Sequence, residues 1–184
     1  GKSPAIKKII TLAHKVAPTD STILITGETG TGKELIAKTI HKLSKRSNES
    51  FIAINCGAIP ENLLESELFG HKKGSFTSAI SDRKGLFEEG NNGTVFLDEL
   101  AEMSPSLQVK LLRVSENGEI RRVGDSEINS VNVRIIAATN KDLWQEVQKN
   151  KFREDLFFRL SVIHLHIPPL RDRTEDIPEL VSHF

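Results

Sequence analysis

The chain contains little sulfur and few aromatic residues. Its 184 residues include one cysteine, Cys56, one methionine, one tryptophan and no tyrosine. A lone cysteine excludes an intramolecular disulfide framework, and Cys56 ends an apolar run, so we expect a small buried hydrophobic side chain. No apolar stretch approaches the length of about 18 residues typical of a membrane-spanning helix, and residues 1–4 begin a helix rather than a signal peptide. These absences predict a cytoplasmic protein with no membrane contact.

An excess of charge of one sign is also missing. Lys and Arg number 25, and Asp and Glu also number 25. A balanced chain lacks the basic field of a nucleic-acid-binding protein, so any contact with DNA is expected from a domain outside this chain. The length fits one domain, 1–184. Near the end, Asp176 followed by Glu179 predicts a capped helix start, and the chain stops at Phe184, so we expect a piece of a longer protein.

Short apolar runs alternate with helical patterns along the chain. Runs that are apolar on both faces and separated by helices predict a parallel five-stranded sheet with helices on both faces, which is an α/β fold. A first helix is expected from Ser3 and Pro4, with apolar residues at helical spacing up to Val16. Strands are predicted at 22–26, 51–55, 94–97, 133–138 and 162–167. Further helices are predicted at 34–45, 61–68, 105–114, 142–148 and 153–160.

A glycine-rich loop follows the first predicted strand and precedes a helix. Glycine lets successive backbone N–H groups point inward at phosphate oxygens, and the helix N-terminus and a lysine add positive charge. The alternative is a plain turn, but the order strand, G-x-x-x-x-G-K and helix favours a nucleoside triphosphate site. One residue departs from the pattern, because Glu34 stands where a Ser or Thr hydroxyl normally ligates Mg²⁺. The candidate cofactor-binding residues are Gly27, Glu28, Thr29, Gly30, Thr31, Gly32, Lys33 and Glu34.

Polar residues end two later strands. Asp98 and Glu99 follow an apolar strand, so Asp98 is the candidate ligand of Mg²⁺ and Glu99 the candidate base that polarises a water. Alone, such an acidic pair could be a solvated turn. Asn140 ends the next strand and could orient water beside the terminal phosphate, or it could cap a helix, or both. His164 and His166 share one face of a strand, but they have no third ligand nearby and do not predict a metal site.

Two segments fit neither a strand nor a core helix. Residues 69–83 are rich in Gly, Ser and Lys, with Phe76 alone among small polar residues, so this segment is predicted to be an exposed loop. Residues 119–132 carry Gly124 and Asp125 between short alternating stretches, which predicts a hairpin inserted before the fourth strand.

Seven motifs together resemble one known family. They are GETGTGKE, AINCGAI, ELFGHKKGSFTSA, GTVFLDE, RIIAATN, FREDLFFRL and PPLRDR, in this order over nearly the whole chain. This set resembles the central ATPase domain of bacterial sigma-54-dependent transcriptional activators, members of the AAA+ superfamily. The resemblance implies the large subdomain of an AAA+ ATPase, with its helical lid absent or only begun. It implies ATP and Mg²⁺ as cofactors, and a Glu after the loop lysine is common in this family.

The resemblance also implies roles for individual residues. Lys33 corresponds to the lysine that binds the β and γ phosphates, Asp98 to the metal ligand and Glu99 to the base. Asn55 resembles the family's partner for that glutamate, which would hold it away from water until the substrate is engaged. Alternatively, Asn55 only ends the second strand.

Arg153 and Arg159 resemble the family's arginine fingers, which reach the ATP of a neighbouring subunit and offset charge in the transition state. On a straight helix, residues six apart point about 240° away from each other, so both could not point one way. Surface ion pairs with Glu154 and Asp155 are the alternative.

The loop GSFTSA corresponds to the family's GAFTGA signature, which contacts sigma-54. An aromatic residue held out on small residues suits contact with another protein, although it could fold back onto its own loop. Serine replaces alanine and glycine at two positions, and a serine takes positive φ less readily than glycine. The candidate contact residues are Gly74, Ser75, Phe76, Thr77, Ser78 and Ala79.

The implied partners are sigma-54 RNA polymerase, further copies of this chain in a hexamer or heptamer, and promoter DNA bound through a domain outside this chain. A signal-receiving domain, as in two-component systems, commonly flanks such an ATPase. Two other functions compete with this interpretation. One is a regulatory module that binds nucleotide and oligomerises without acting on sigma-54. The other is a small-molecule phosphotransferase, for which the sequence offers no obvious acceptor-binding lid.

Overall fold

The computed structural model describes residues 1–77 and 79–183, and for His183 the backbone only. Its elements follow the predicted alternation of strands and helices. Three short 3₁₀ turns lie at Leu100–Glu102, Leu170–Asp172 and Thr174–Asp176. The strands and helices in chain order are α1 Pro4–Val16, β1 Ile23–Thr26, α2 Lys33–Lys42, β2 Phe51–Asn55, α3 Glu61–Phe69, β3 Gly70–His71, β4 Arg83–Lys84, α4 Leu86–Glu89, β5 Thr94–Asp98, α5 Pro105–Asn117, β6 Glu119–Ile120, β7 Asn129–Ser130, β8 Arg134–Thr139, α6 Leu143–Gln148, α7 Glu154–Leu160, β9 Ile163–His166 and α8 Ile177–His183.

A five-stranded parallel sheet forms the centre of the molecule, in the order β2-β5-β8-β1-β9. All six residues of β8 are buried, whereas the edge strands β2 and β9 are partly exposed. The register pairs Thr26 with Thr139 and Asn55 with Asp98 at the carboxyl ends of the strands. The prediction of a five-stranded parallel sheet is therefore confirmed.

Helices cover both faces of this sheet, because successive strand residues point to opposite sides. In β1, Ile23 and Ile25 pack with buried residues of α1 and α2. Leu24 faces the other way and packs in a second cluster with buried residues of α3, α5 and α7. The predicted two-faced α/β architecture is thus observed, with a separate apolar layer on each side.

Side-chain caps explain where several helices begin. Ser3 accepts a hydrogen bond from the Ile6 N–H at the start of α1, and Pro4 is the first helical residue. Ser104 caps α5 in the same way, and Asp142 caps α6. The predicted helix at 153–160 is corrected at its start, because Arg153 lies in extended backbone just before α7. Arg153 and Arg159 are therefore not six positions apart on one helix.

The loop predicted for residues 69–83 is present at residues 72–77 and 79–82, which form neither a helix nor a strand, and the prediction is wrong at the two ends. Phe69 ends α3 and is fully buried, and the next two residues form β3, which pairs with β4. Phe76 is half-buried, because its ring packs edge-on against His71 with 4.9 Å between the ring centroids. The apolar side chain that this segment does expose is Ile80, which is 82% exposed. Ser78 lies outside the described residues.

The hairpin predicted at 119–132 is present, although only two residues pair on each side, β6 with β7. Gly124 lies in its connecting segment with a φ of 75°. The hairpin, the second insertion, also joins the segment from β3 to β4, which we call the first insertion. The Lys72 N–H donates to the Val123 carbonyl, and the Val123 N–H donates to the Gly70 carbonyl. The two insertions therefore form one peripheral unit.

Membrane spans were looked for among the helices of residues 1–77 and 79–183. None of these helices combines the length and the apolar character that crossing a bilayer requires.

Candidate nucleotide-binding site

Residues 27–33, the phosphate loop, connect β1 to α2 at the carboxyl edge of the sheet. Gly30 and Gly32 have φ values of 80° and 97°, a left-handed conformation that side-chain-bearing residues rarely adopt. A Cβ at Gly27 would lie 2.7 Å from the Ile167 carbonyl oxygen, so only glycine fits where the loop leaves the strand. The Gly27 N–H donates to the Thr139 carbonyl at 3.2 Å, which ties the start of the loop to the end of β8.

The Lys33 ammonium lies inside this loop, and the residue as a whole is only 8% exposed. It donates to the carbonyl oxygens of Gly27 and Glu28, both at 3.0 Å. An ammonium has three N–H donors. Two of them bind these carbonyl oxygens, so within the described residues the third is left for an anion. A buried cation with only neutral partners favours a negative ligand, because burial raises the cost of an unpaired charge.

The first turn of α2 completes the anion site. Its N-cap is Gly32, and within the described residues no side chain caps the backbone N–H groups of this ten-residue helix. Free N–H groups and the helix dipole make such an end favourable for phosphate. Glu34 points to the exposed side of α2. Its carboxylate forms an ion pair at 2.7 Å with Lys38, which lies one turn further along the helix.

The acidic pair lies at the end of β5. Asp98 Oδ1 accepts the Glu99 N–H at 2.9 Å. Glu99 has φ 52° and ψ 42°, a conformation that is uncommon for a residue with a side chain and is often found at functional sites. Behind the pair, burial raises the pKa of Cys56 to about 12, with a further contribution from the charges of Asp98 and Glu99. The thiol is therefore a neutral, buried group, as predicted.

Asn55 lies beside Asp98 in the neighbouring strand, and its side chain holds the turn that follows β2. Asn55 Oδ1 accepts the N–H groups of Gly57 at 2.9 Å and Ala58 at 3.0 Å. A Cβ on Gly57 would overlap Glu99 Oε2, so the Glu99 carboxylate lies directly over this turn. No hydrogen bond joins Asn55 and Glu99 in the described part of the chain. The structure brings the two residues to one turn, and their switching role stays a prediction.

Asn140 follows β8 and reaches the phosphate loop. Its Nδ2 donates to Thr29 Oγ1 at 3.3 Å. The alternative role of Asn140 as a helix cap is wrong, because Asp142 accepts the N–H groups of Trp144 and Gln145 at the start of α6. The amide of Asn140 is thus available beside the loop, on the side of the acidic pair.

Two cavities flank the phosphate loop. One, of about 450 Å³, opens beside Gly27 and Asn140, and its far wall carries His164 and His166. Both imidazoles hydrogen-bond to Thr26 Oγ1, at 2.7 and 3.1 Å. Burial, followed by the neighbouring His166, lowers the pKa of His164. Within the described residues, no three His, Cys, Asp or Glu side chains are grouped so that they could hold a metal ion.

The second cavity, of about 420 Å³, lies between α1, α2 and the C-terminal segment. It has a largely apolar lining and adjoins the helix end of the phosphate loop through Thr31 and Gly32. Small-molecule sites are typically concave and mostly apolar, with a few polar groups that fix orientation. Its apolar lining comprises Ile6, Ile10, Leu35, Ile36 and Leu180.

The two candidate finger residues lie outside this site. Arg153 forms an ion pair with Asp155 at 2.6 Å, which is the surface pairing considered as the alternative from sequence. Arg159 donates from Nε and Nη2 to the Ser115 carbonyl at 2.9 and 2.6 Å. Within the described part of the chain, neither guanidinium contacts the phosphate loop.

The remaining candidate residues that the structure describes, 74–77 and 79, lie in the first insertion, between β3 and β4. The Gly74 N–H donates to the Ala79 carbonyl at 2.8 Å, and Thr77 is exposed. Ser75 Oγ lies within hydrogen-bonding distance of two carbonyl oxygens, Lys72 at 2.5 Å and Val123 at 2.8 Å, so its single proton is shared between its own segment and the hairpin. Ser78 cannot be placed, since it lies outside the described residues.

Sequence reasoning missed several charged residues that shape these regions. Arg122 forms a bidentate pair with Glu88, at 2.7 and 2.6 Å, beneath the two insertions. These hydrogen bonds hold the pKa of Glu88 below its ordinary value. Arg171 pairs with Glu28 on the outer rim of the phosphate loop, at 2.7 and 2.6 Å. The PPLRDR motif contained the arginine but gave no indication of its partner, which lies far away along the chain.

The parallel sheet, the phosphate loop at the carboxyl end of β1 and the acidic residues at the end of β5 define a P-loop nucleotide-binding domain. The chain belongs to the family described as the sigma-54 interaction domain, whose profile matches residues 1–166. A Nif-specific regulatory protein of Azotobacter vinelandii is 56% identical over 182 residues, covering 99% of this chain and 35% of that protein.

Solved structures agree with this assignment. NtrX from Brucella abortus in complex with ADP has a TM-score of 0.93 at 40% identity, covering 100% of this chain and 40% of that one. Its complex with ATP has a TM-score of 0.91, also at 40% identity, covering 100% of this chain and 41% of that one. The P-loop NTPase domain of a sigma-54 transport activator from E. coli shares the fold, with a TM-score of 0.63 at 15% identity over 92% of this chain and 99% of that one. The chain spans well under half the length of its relative from Azotobacter and of NtrX.

Replacing Lys33 by alanine is expected to weaken nucleotide binding, because it removes the ammonium that faces the phosphates. Titration calorimetry with ADP and ATP on the folded variant measures the change. Lys42→Ala at the exposed end of the same helix is the matched control and is expected to bind as the parent does. Unchanged affinity of Lys33→Ala for ADP and ATP would contradict the assignment of residues 27–33 as a phosphate-binding loop.

Proposed function

We propose that this domain is a Mg²⁺-dependent ATPase that assembles into a ring and uses hydrolysis to remodel sigma-54 RNA polymerase in the cytoplasm. The observation that carries the proposal is the convergence of Lys33, Asp98, Glu99 and Asn140 at one edge of the sheet, in a chain of the sigma-54 interaction family. Promoter DNA would be bound by a domain outside this chain, as the balanced charge suggests.

The positions of these groups suggest an orientation for ATP. The acidic pair and Asn140 mark the end of the loop where the terminal phosphate would lie. The adenine base of ATP would then lie at the opposite end of the loop, next to α2, where the apolar cavity adjoins Thr31 and Gly32. The free N–H groups of α2 would meet the phosphates between these two ends.

The donor set at the acidic pair fits Mg²⁺. This ion prefers oxygen ligands, keeps several waters, and is commonly bound through one or two carboxylates together with substrate phosphates. Asp98 Oδ1 accepts the Glu99 N–H, and no described residue donates to Oδ2. Asp98 would therefore supply the protein ligand, and Glu34, paired with Lys38, is not needed. Bound there, the ion would neutralise charge on the phosphates.

Glu99 would take the proton from the attacking water. Its carboxylate lies over the turn held by Asn55, next to Asp98, and Asn140 reaches the loop from the other strand. Movement of the Asn55 turn would change where the carboxylate points, and this is how Asn55 would regulate hydrolysis. The nucleophile in this scheme is water rather than a protein side chain.

Glu99→Gln is expected to keep ATP bound while slowing hydrolysis about 10² to 10⁴-fold, because an amide cannot accept the proton. Phosphate release by the assembled full-length protein measures the rate, and calorimetry measures binding. Glu49→Gln, an exposed glutamate remote from the site, is the control for the same chemical change. Turnover at the parental rate in Glu99→Gln would show that another group is the base.

Arg153 and Arg159 would act on the nucleotide of a neighbouring subunit in a hexamer or heptamer. Both are exposed on the side of α5 and α7, and their present partners are an exposed carboxylate and a backbone carbonyl. An exposed ion pair contributes little to stability, so a phosphate could replace it at low cost. These contacts support a role across an interface rather than within one subunit.

Arg153→Ala and Arg159→Ala are each expected to lower hydrolysis while leaving nucleotide affinity intact; loss of an arginine finger costs about 10³ to 10⁵ in rate. Mixing either variant with Glu99→Gln should partly restore activity, since some interfaces then contain both an intact base and an intact finger. A mixture of Glu99→Gln with Lys33→Ala is the control and should stay inactive. Both substitutions disable the half of the site that a subunit supplies for its own nucleotide, so no interface in the mixture is intact. Absence of recovery, despite demonstrated co-assembly, would place these arginines in a role within their own subunit.

The first insertion would contact sigma-54 through Thr77 and its neighbours. Thr77 and Ile80 are exposed, whereas Phe76 rests against His71. The proposal therefore requires Phe76 to leave its partner on binding, or to support the loop from below while exposed residues make the contact. The arrangement separates this surface from the nucleotide site.

Thr77→Ala is expected to leave ATP hydrolysis intact and to abolish sigma-54 binding and open-complex formation, because it removes a hydroxyl and a methyl from the contact surface only. Thr11→Ala on the exposed side of α1 is the matched control. The measurements are phosphate release and a sigma-54 pull-down with a transition-state analogue of ATP. Full transcription activation by Thr77→Ala would contradict this role of the loop.

One observation favours the alternative function, a nucleotide-binding oligomeric module that does not act on sigma-54. Ser75 carries a hydroxyl where the related signature has alanine, and this hydroxyl bonds the Val123 carbonyl of the hairpin at 2.8 Å. Such a bond holds the insertion against the hairpin. If the parent protein fails to bind sigma-54 in every nucleotide state, the regulatory function takes the place of the remodelling function.

A further inference from the structure

A buried arginine outside the predicted site reaches the backbone of the phosphate loop. The guanidinium of Arg173 follows the second 3₁₀ turn, and its side chain is 11% exposed. Its Nη2 donates to the Thr31 carbonyl at 2.8 Å, and its Nε donates to the Pro168 carbonyl at 3.1 Å. Thr31 and Gly32 are the two loop residues that also line the apolar cavity, and Arg173 forms part of the same lining.

The contact with Thr31 controls the direction of one N–H group. A peptide unit is planar and trans, so the Thr31 carbonyl and the Gly32 N–H point in opposite directions. Because Arg173 holds this carbonyl outward, the Gly32 N–H is held toward the opposite side. Gly32 has a φ of 97° and no Cβ, so its peptide could otherwise rotate with little steric hindrance.

A buried carboxylate keeps Arg173 in place. Asp176 is 1% exposed, and its Oδ2 lies 3.7 Å from Arg173 Nη1. The same carboxylate accepts the N–H groups of Lys2 at 2.6 Å and Ser3 at 2.7 Å, and the Ser3 hydroxyl at 2.8 Å. Burial alone would raise the pKa of Asp176, but these hydrogen bonds outweigh it and hold the pKa below its ordinary value. The carboxylate is therefore charged at neutral pH. The sequence predicted that Asp176 caps a helix, but its carboxylate instead binds Lys2, Ser3 and Arg173.

We infer that Arg173 is a positioning residue of the nucleotide site, which fixes the Thr31–Gly32 peptide in the orientation that binds phosphate. Asp176 and the amino-terminal segment at Lys2 and Ser3 hold Arg173 in turn. The inference rests on the proposed nucleotide-binding function and adds residues that the seven motifs do not assign to it. It also makes the affinity for nucleotide depend on how residues 1–3 are held.

A second arginine provides a matched comparison at the opposite end of the sheet. Arg46 has a side chain that is 13% exposed, and it pairs with Asp20 at 3.0 Å. It also donates to the carbonyls of Gly93 at 3.2 Å and Asn132 at 2.9 Å. Arg46 and Arg173 thus have the same burial and the same kinds of partner, but only Arg173 touches the phosphate loop. A purely structural role predicts similar effects for both.

The test compares Arg173→Ala with Arg46→Ala in the full-length protein that contains this domain. ADP is the probe. Its affinity is measured by calorimetry at a temperature below the lowest thermal unfolding midpoint among the proteins compared. The unfolding midpoint of each variant is measured without nucleotide. We expect Arg173→Ala to weaken ADP binding about tenfold or more, and Arg46→Ala to change it less than about twofold at a comparable loss of stability. In steady-state hydrolysis, Arg173→Ala should raise KM for ATP with a smaller effect on kcat.

A second measurement reports the peptide directly. The backbone amide resonance of Gly32 in the nucleotide-free protein should shift and broaden in Arg173→Ala, because its peptide is no longer held in one orientation, and should be unchanged in Arg46→Ala. Arg173→Lys and Asp176→Asn, which are milder changes, should weaken ADP binding by intermediate factors, and they replace Arg173→Ala if that variant does not fold.

The outcomes separate this inference from the proposed function. If the parent binds ADP and the Arg173 variants bind it equally well, or lose only as much affinity as Arg46→Ala does, the positioning role alone is overturned. A parent that does not bind ADP or ATP overturns the nucleotide-binding function and, with it, this inference.

Discussion

The register of the parallel sheet places three chemically different segments at one edge of the molecule. Thr26 lies beside Thr139, and Asn55 beside Asp98, so the phosphate loop, the acidic pair and Asn140 all begin where their strands end. Parallel strands share this edge because each connection returns through a helix to the same starting end. The helices on both faces then exclude water from β1, β5 and β8, which makes the placement of these ends rigid.

Two oppositely charged centres lie at this edge. The Lys33 ammonium is held by carbonyl dipoles without a carboxylate, while Asp98 and Glu99 carry negative charge next to the buried thiol of Cys56. A polyphosphate with its cation would satisfy both centres at once, because each charge lacks a full counterion within the described residues. The left-handed backbone at Glu99 adds strain, of about 1–3 kcal/mol, in the place where chemistry would need a special geometry.

The peripheral insertions are connected to the nucleotide site through the chain itself. The turn held by Asn55 leads into α3, and α3 ends at Phe69, directly before β3. From there, Val123 joins the first insertion to the hairpin, and the Glu88–Arg122 pair joins α4 to the hairpin. A change in the Asn55 turn therefore has a short, packed route to the exposed loop.

Much of the fold and of the nucleotide site could be predicted from the sequence, because local patterns encode them. Strand, glycine loop and helix follow one another within a few residues, and the acids end their own strand. Contacts between distant segments could not be predicted in this way. Arg173 holds Thr31, and Asp176 binds Ser3, only because the tertiary structure brings their backbones together. The sequence by itself thus determined the sheet and the chemistry at its edge. Only the tertiary structure decided which buried charges hold that chemistry in place, because a hydrogen bond between remote segments has no local periodicity or spacing that would indicate it.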